Sequence, residues 1–449
     1  MGLIYKLAEI IDDSRTEYEE ILKEIEEEKS SYNFKIHEIY GESEAGLNNI
    51  LAKGDNLNFM KYLVSQNQFN KKINLIYIDP PFFSKADYNM QVKINSKCFV
   101  GGSSKIKQIV YTDTWKEGIE SYLRMICIRL FMMRDLLAED GCIWMHLDWH
   151  VVHYVKILMD EVFGMDNFIN EVIWNYKSGG TSNKRFARKH DTLLFYGKSD
   201  KYFFHAQKEK SYNRGFKPYR FKGVEEFQDE VGWYTLVNMK DVWQVDMVGR
   251  TSSERTGYAT QKPEVLLERI LESCTREGDL CADFFGGSGT LAATANKMKR
   301  NWITCDVGKN AIAGIKKRAF QKEAEFYVLQ EELTEKDPGE IELSVERKKD
   351  HFKVTLHSYT LNNGYLQTFA KNEQDKLSTI MNMDSLSLVD YWSVDFNYDG
   401  KIHKPQYILL REKECLEETT ADLSHTGQIN VSCVDVFGNV IHKNIAINK

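Results

Sequence analysis

The stretch Asn74-Leu75-Ile76-Tyr77-Ile78-Asp79-Pro80-Pro81-Phe82 decides how this chain reads. Its apolar, β-branched run predicts a buried central strand of a parallel sheet, and such strands present their ligand chemistry at the carboxyl end. Asp79-Pro80-Pro81-Phe82 falls at that end. Two consecutive prolines neither extend a strand nor begin a regular helix, so they stiffen the turn and fix the direction of its acceptors. A carboxylate, a rigid carbonyl and an aromatic face then share one small pocket. That set suits a planar ring bearing an amino group: the oxygens accept its N–H bonds while the ring stacks on Phe82. A capped strand with a tight turn and a core phenylalanine is the plainer alternative.

A second ligand signature lies two hundred residues on. Leu280-Cys281-Ala282-Asp283-Phe284-Phe285-Gly286-Gly287-Ser288-Gly289-Thr290 reads as strand, glycine-rich turn and helix start. The glycines let backbone approach a ligand closely, and the helix N-terminus offers N–H donors. Neither the Gly-Lys-Ser/Thr of a phosphate loop nor the glycine spacing of a dinucleotide fingerprint is present. The next predicted strand, Trp302-Ile303-Thr304-Cys305, ends in Asp306, where an acid in a doubly wound fold binds ribose hydroxyls. A nucleoside ligand without a pyrophosphate fits this pair.

Composition sets the frame. At 449 residues, 42% hydrophobic and 28% charged, the chain has the make-up of a soluble globular protein of two or three domains. Its apolar runs fall short of membrane-spanning length, and the first residues lack the layout of a signal peptide, so the expected location is the cytosol. The eight cysteines, at 98, 127, 142, 274, 281, 305, 415 and 433, are scattered without a Cys-x-x-Cys pair, which indicates neither a zinc site nor a disulfide framework. The cluster His146, Asp148, His150 and His153 lacks paired ligand spacings. Polar residues ending a strand beside a pocket are its simpler account, and no metal is expected.

The net charge of −7 hides an asymmetry. Acids crowd residues 9–28, whereas residues 177–222 are rich in cations, among them Lys184, Arg185, Arg188, Lys189, Arg214, Lys217 and Arg220. Aromatics such as Phe186, Tyr196, Tyr212, Phe216 and Tyr219 interleave with them. Cations neutralise phosphates and aromatics stack on bases, so this stretch is the candidate nucleic-acid footprint; a solvated basic face is the alternative.

Along the chain, residues 4–30 carry apolar positions at helical spacing and predict a long amphipathic helix, accessory or dimer-facing. A short strand then meets Gly54-Asp55-Asn56-Leu57, where Asp55 caps the following helix or reaches into a ligand cleft. Residues 84–113, with Gly101-Gly102-Ser103-Ser104, read as a long polar loop of the lid or binding kind. Helices are predicted at 119–137 and 151–163, a strand at 142–147, and an antiparallel strand pair at 171–175 and 191–196. Residues 203–255 show no periodicity. A helix over 261–271 carries Pro263 in its first turn. Beyond about 335, short alternating runs at 352–356, 386–389, 407–410 and 429–434 predict a small β-rich domain, with turns at Asp399-Gly400 and Gly438-Asn439.

Taken in order, Gly54-Asp55-Asn56-Leu57, Asp79-Pro80-Pro81-Phe82, Thr260-Gln261-Lys262-Pro263 and the 283–290 turn resemble the beta-class adenine-specific DNA methyltransferases, including the modification subunits of type III restriction systems. The similarity covers about residues 45–320. It implies an α/β, Rossmann-like sheet, circularly permuted so that the catalytic strand precedes the cofactor strand. It also implies S-adenosylmethionine as cofactor and N6 of a flipped adenine in double-stranded DNA as acceptor. By this resemblance Asp79, Pro80, Pro81 and Phe82 hold the base. The cofactor side comprises Asp55, Asn56, Asp79, Lys262, Pro263, Asp283, Phe284, Phe285, Gly286, Gly287, Ser288, Gly289, Thr290 and Asp306. Residues 285–290 would take the methionine end, Asp306 the ribose and Asp55 the adenine edge. Phe82 stands where tyrosine is commoner, which keeps the stacking face and loses a hydroxyl.

The expected organisation is an N-terminal helix (1–44), two methyltransferase halves (45–199 and 257–335) around a target-recognition segment (200–256), and the β-rich domain (336–449). A homodimer and a restriction subunit are further expected partners. Two other readings stay open: N4 methylation of cytosine, whose relatives usually begin the motif with serine, and a non-catalytic DNA-recognition subunit.

Overall fold

The computed structural model describes residues 2–27, 34–41, 48–66, 68–96, 103–113, 115, 117–177, 180–249, 251–332, 338–349, 351–412, 415–421, 423–424 and 428–446. Cys98, Gly101, Gly102 and Glu28 of the sequence reading lie outside these. In chain order the first elements are α1 (Leu3–Glu26), β1 (Phe34–Tyr40), β2 (Ile50–Lys53), α2 (Asn56–Ser65), β3 (Ile73–Ile78), β4 (Asp87–Asn95), β5 (Ser103–Thr112), α3 (Ile119–Leu136), β6 (Leu137–Leu147), α4 (Val152–Phe163), β7 (Phe168–Asn175) and β8 (His190–Gly197). There follow β9 (Lys208–Tyr212), β10 (Phe227–Gln228), β11 (Trp233–Asn238), β12 (Val242–Gln244), α5 (Glu264–Cys274), β13 (Leu280–Asp283), α6 (Thr290–Lys297), β14 (Asn301–Asp306), α7 (Lys309–Gln321) and β15 (Phe326–Glu331). The C-terminal part holds β16 (Gly339–Lys348), β17 (His351–Leu361), α8 (Asn363–Leu366), α9 (Lys371–Met383), β18 (Val389–Tyr398), β19 (Tyr407–Leu410), β20 (Leu423–Ser424), β21 (Gln428–Asp435) and β22 (Val440–Ile445).

Strand β3 is central, as its apolar run predicts. It sits in a ten-stranded sheet of order β1-β15-β2-β14-β13-β3-β6-β8-β7-β12. The strands from β15 to β6 are parallel, with β1 antiparallel at one edge and β8 antiparallel toward the other. Successive side chains of β3 leave by opposite faces. Ile76 and Ile78 pack with α1 to α4, while Leu75 and Tyr77 pack with α5 to α7. With helices on both faces, this is the doubly wound α/β sheet of the expected class, and its catalytic strand does precede the glycine-turn strand. From β3 the chain moves to β6 on one side; from β13 it moves to β14 on the other. The crevice between β3 and β13 is therefore the switch point where such sheets bind ligands.

Five readings need correction. Helix α1 does not stand apart: Leu7, Ile10, Ile11, Tyr18 and Ile21 are buried in the main core, Tyr18 stacks on Phe131 of α3 at 5.1 Å, and β1 joins the sheet. Its apolar stripe is spent within the chain. The 84–113 loop contains a hairpin, β4 with β5, whose Val92, Ile94 and Ile106 enter the core of the C-terminal domain. An apolar face covered by a domain far along the sequence is invisible to local periodicity. Residues 203–255 hold a three-stranded sheet, β10-β11-β9, and β12 returns to the edge of the main sheet beside β7. Finally, residues 385–388 form a 3₁₀ turn with β18 starting at Val389, and Pro263 is the N-cap of α5 rather than part of its first turn.

The C-terminal domain has a three-stranded sheet, β16-β17-β20, and a four-stranded one, β19-β18-β21-β22, around one apolar core with α9. It meets the main sheet through a buried polar cluster. Lys316 of α7 donates to the Glu38 carboxylate of β1, both nearly fully buried, and Tyr40 donates to the same oxygen. His403 exchanges backbone hydrogen bonds with His37 and Ile39, at 2.9 Å each.

Candidate active site

The four carboxylates of the site reach the switch-point crevice because a strand ends there. Strands β2, β3, β13 and β14 run in register, so Asp55, Asp79, Asp283 and Asp306 gather at one sheet edge. A cavity of about 320 Å³ opens between them. Of the sequence-predicted residues, Asp55, Asn56, Asp79, Pro81, Lys262, Asp283, Phe284, Phe285, Gly286, Gly287, Ser288, Thr290 and Asp306 line it. Pro80, Phe82, Pro263 and Gly289 do not.

The glycine turn works as its composition demands. Gly289 lies at φ 72°, a left-handed conformation, and a Cβ there would meet Ile315 Cγ1 at 2.6 Å. Asp306 braces the turn, its Oδ2 accepting from Gly287 N at 2.8 Å and its Oδ1 from Gly308 N at 2.7 Å. Asp55 fulfils both of its readings: it caps α2 through Leu57 N and Asn58 N at 2.9 and 3.0 Å, and it lines the cavity. Burial, reinforced by the charges of Asp79 and Asp306, pushes the Asp283 carboxyl up to about 8.

Around Asp79 the two oxygens differ. Oδ2 accepts from the Lys262 ammonium, which also sits 5.2 Å from the Phe82 ring centroid. Oδ1 is buried without a hydrogen-bond partner. A buried carboxylate oxygen left unsatisfied in a cavity is an acceptor waiting for a donor. Lys262, expected on the cofactor side, thus bonds directly to the base-side carboxylate.

Behind Phe82 runs a buried polar chain that links three strands. The ring stacks on His146 of β6, with centroids 6.0 Å apart and planes 25° apart. His146 Nδ1 lies 2.8 Å from Tyr77 Oη and Nε2 lies 3.2 Å from Asp191 Oδ2, and Tyr176 donates to Asp191 Oδ1 at 3.1 Å. Asp148 instead bonds His150. Among the described residues no three His, Cys, Asp or Glu side chains stand together as a metal site.

Several cavity residues escaped the sequence reading: Tyr77, Trp115, Met125, Arg129 and Tyr258. Arg129 of α3 is mostly buried, donates to Asn56 Oδ1 at 2.6 Å and pairs with Asp55 at 3.3 Å, while Asn56 donates to Phe284 O at 2.7 Å. Asp113, fully buried, gathers Phe83 N at 3.1 Å, Ser84 N at 2.6 Å, Ser84 Oγ at 2.8 Å and Trp115 Nε1 at 3.1 Å. It pins the turn after the Asp-Pro-Pro-Phe motif, where Phe83 and Lys85 adopt positive φ. The Asp-x-Trp spacing was its available signal. Replacing Asp113 by alanine strands several buried donors at once, and a loss of about 2–3 kcal/mol in chemical denaturation is expected. A variant of unchanged stability would refute the pinning role.

The candidate DNA contacts fall in two places. Lys184, Arg185, Arg188 and Lys189 lie on the loop between β7 and β8. Arg214, Lys217 and Arg220 lie on the connection from β9 to β10 of the small three-stranded sheet, and all but the half-buried Lys189 are exposed.

A parallel sheet with a glycine cradle on one side of its switch point and an acceptor-and-ring pocket on the other defines a transferase that brings a nucleoside-type cofactor against an amine. The chain belongs to the DNA methylase family, whose profile matches residues 73–317. S-adenosylmethionine is the methyl donor of that family. The chain is 26% identical over 308 residues to the type II methyltransferase M.EcaI of Enterobacter cloacae, covering 55% of this chain and 65% of that protein. It is 32% identical over 161 residues to the EcoPI Mod subunit of a type III restriction-modification enzyme of Escherichia phage P1, covering 34% of this chain but only 24% of the subunit. Among solved structures, the cytosine-N4-specific PvuII DNA methyltransferase aligns with a TM-score of 0.42 at 16% identity, over 64% of this chain and 90% of that one. No helix among the described residues is long and apolar enough to cross a membrane.

Proposed function

We propose that the chain transfers a methyl group from S-adenosylmethionine to N6 of an adenine drawn out of double-stranded DNA. The observation that carries this reading is the unpartnered, buried Asp79 Oδ1 at the end of β3, in the turn that also carries Pro80 and Phe82. An exocyclic amine is a poor nucleophile because its lone pair is delocalised into the ring. With its hydrogens accepted by Asp79 and the Pro80 carbonyl, the nitrogen moves toward tetrahedral geometry and turns its lone pair toward the donor side of the crevice. Phe82 stacks on the ring and fixes its plane. S-adenosylmethionine, when bound, supplies an electrophilic methyl on a sulfonium. Residues 285–290 would hold its amino-acid end, Asp306 its ribose and Asp55, steadied by Arg129, its adenine edge. The cavity volume lies within the range of small-ligand sites.

Asp79 in place of serine favours adenine over cytosine N4. We assign target recognition to residues 200–256 and phosphate contacts to the two cationic groups. Pairing with a restriction subunit or with a second copy is part of this proposal, on the strength of the Mod-like motifs. Incubating the purified chain with labelled donor and genomic DNA, then hydrolysing to nucleosides, tests the reading. N6-methyladenine is the expected product; N4-methylcytosine would replace the acceptor assignment, and no label would leave only a recognition module.

Asp283 provides a pH signature. Its carboxyl is ordinarily ionised above about 4, but in the folded chain it keeps its proton to about 8. The stability it contributes is thus present below about 4 and is lost as pH rises to about 8. A cation beside Asp283 favours its ionised form, so Asp283 is expected to give up a proton on donor binding. Affinity should climb up to about tenfold per pH unit below 8. Calorimetry in two buffers of different ionisation heat reads the released proton directly, and equal heats would contradict the assignment.

A further inference from the structure

Phe186 is 98% exposed, more than any other large apolar side chain among the described residues. Single exposed hydrophobics are common and need no explanation, but the setting of this one is specific. It sits on the loop between β7 and β8, with Lys184 and Arg185 before it and Arg188 after it. The neck of that loop is closed by Tyr176 N donating to Lys189 O at 3.0 Å, and the described residues between them, 177 and 180–188, are all exposed and make up a finger. Phe186 stands three residues from Lys189 at the neck, which gives it a reach of up to about 10 Å when extended.

The finger rises beside the Asp79–Phe82 pocket. Strand β8 starts where β6 ends, with Thr192 opposite Leu147, and β6 lies next to β3, with Met145 opposite Ile78. Two strand spacings, about 10 Å, therefore separate the root of the finger from the strand that carries Asp79. Contacts close that distance. Tyr176 at one side of the neck bonds Asp191 at the other, Asp191 bonds His146, and His146 carries the Phe82 ring. The Arg188 guanidinium lies 3.4 Å from the ring centroid of Trp149, which follows the end of β6. The finger is thus rooted in the ring that underlies the pocket and is flanked by phosphate-seeking charge, with an exposed aromatic side chain midway along its returning limb.

We propose that Phe186 is the wedge that enters the DNA base stack and fills the gap left when the target base turns out into the Asp79–Phe82 pocket. An inserted aromatic ring restores stacking lost by the departing base, and flanking cations hold the backbone on either side of the opening. The inference rests on the reading that an adenine is drawn into that pocket. It makes Phe186 a positioning residue that never touches the transferred methyl.

The test uses the full chain, Phe186→Ala and Phe186→Trp, with a synthetic duplex carrying the site found by sequencing wild-type-methylated DNA for modified bases. A second duplex has an abasic position opposite the target, so that the base leaves without a pairing cost and with the opposing stack already weakened. On the perfect duplex, Phe186→Ala is expected to lower kcat/KM about 10- to 100-fold, and Phe186→Trp to stay near wild type. On the abasic duplex, Phe186→Ala is expected to come within about threefold of wild type. An unchanged rate on the perfect duplex, or equal losses on both, overturns the wedge. A 2-aminopurine placed at the target separates the two levels of the argument. If wild type fails to raise its fluorescence, the pocket reading and the wedge fall together; if wild type and Phe186→Ala raise it equally, only the wedge falls. Because Phe186 buries nothing within the chain, its variants are expected to melt with wild type.

Discussion

Replacing Asp79 by alanine is expected to reduce methyl transfer by about 10³-fold or more, measured as label passing from donor to DNA. Two losses combine. The amine acceptor disappears, and the Lys262 ammonium, whose partner Asp79 is, stays at the site with its charge uncompensated and next to the Phe82 ring. Asp79→Asn separates these effects, since it keeps an acceptor oxygen but cannot balance Lys262; it should fall between alanine and wild type. Transfer at a wild-type rate in Asp79→Ala would end the proposed mechanism, because no other unpartnered carboxylate oxygen is buried there among the described residues.

The largest effect on stability is expected far from the cavity, at Lys316→Met. Lys316 and Glu38 are 2% and 7% exposed, and removing one member of a buried pair strands the other charge at a cost of about 3–5 kcal/mol. Burial alone would raise the Glu38 carboxyl, but Lys316, His442 and His403 outweigh it and hold it at about 2. A carboxyl depressed in this way adds stability above its ordinary range near 4.5, and that contribution is lost as pH falls toward 2. His403, held neutral by burial down to about 3, acts in the same direction: folding loses its contribution as pH drops from 6.5. Denaturation curves of wild type should therefore slope downward with acid, and Lys316→Met should lose the Glu38 part of that slope. The pair Glu38→Gln with Lys316→Met should recover most of the stability, since no buried charge remains. If the single variant melts like wild type, the cluster does not join the two parts as described.

What the sequence made legible follows from the range of the forces involved. β3, β13, β14 and the cap at Asp55 are decided by runs of about ten residues, and all formed as read. The acids at 55, 79, 283 and 306 could be placed together because parallel strands present their ends at one edge. Arg129, Asp113, Tyr258 and Trp115 could not, because each enters the site from a helix or loop whose position depends on tertiary packing. Lys262 was assigned to the cofactor by its motif, whereas its bond to Asp79 crosses 183 positions of sequence. The polar texture of 203–255 concealed strands β9 to β11 because that small sheet keeps few side chains out of water.

The β4–β5 hairpin carries a consequence for how such enzymes are assembled from parts. It begins a few residues after Phe82 and ends at Asp113, yet its tip half is held by the C-terminal domain through Val92, Ile94 and Ile106 in the core, Lys107 N to Glu373 at 3.0 Å, and Ser96 to Asp384 at 2.7 Å. The Asp79–Phe82 turn and the C-terminal domain therefore share one covalent strap. A graft that exchanges the domain at residue 336 alone would bring a foreign core to a hairpin shaped for the original. The inheritable unit is the domain together with residues 84–113, and modularity in this chain follows that strap rather than the order of the sequence.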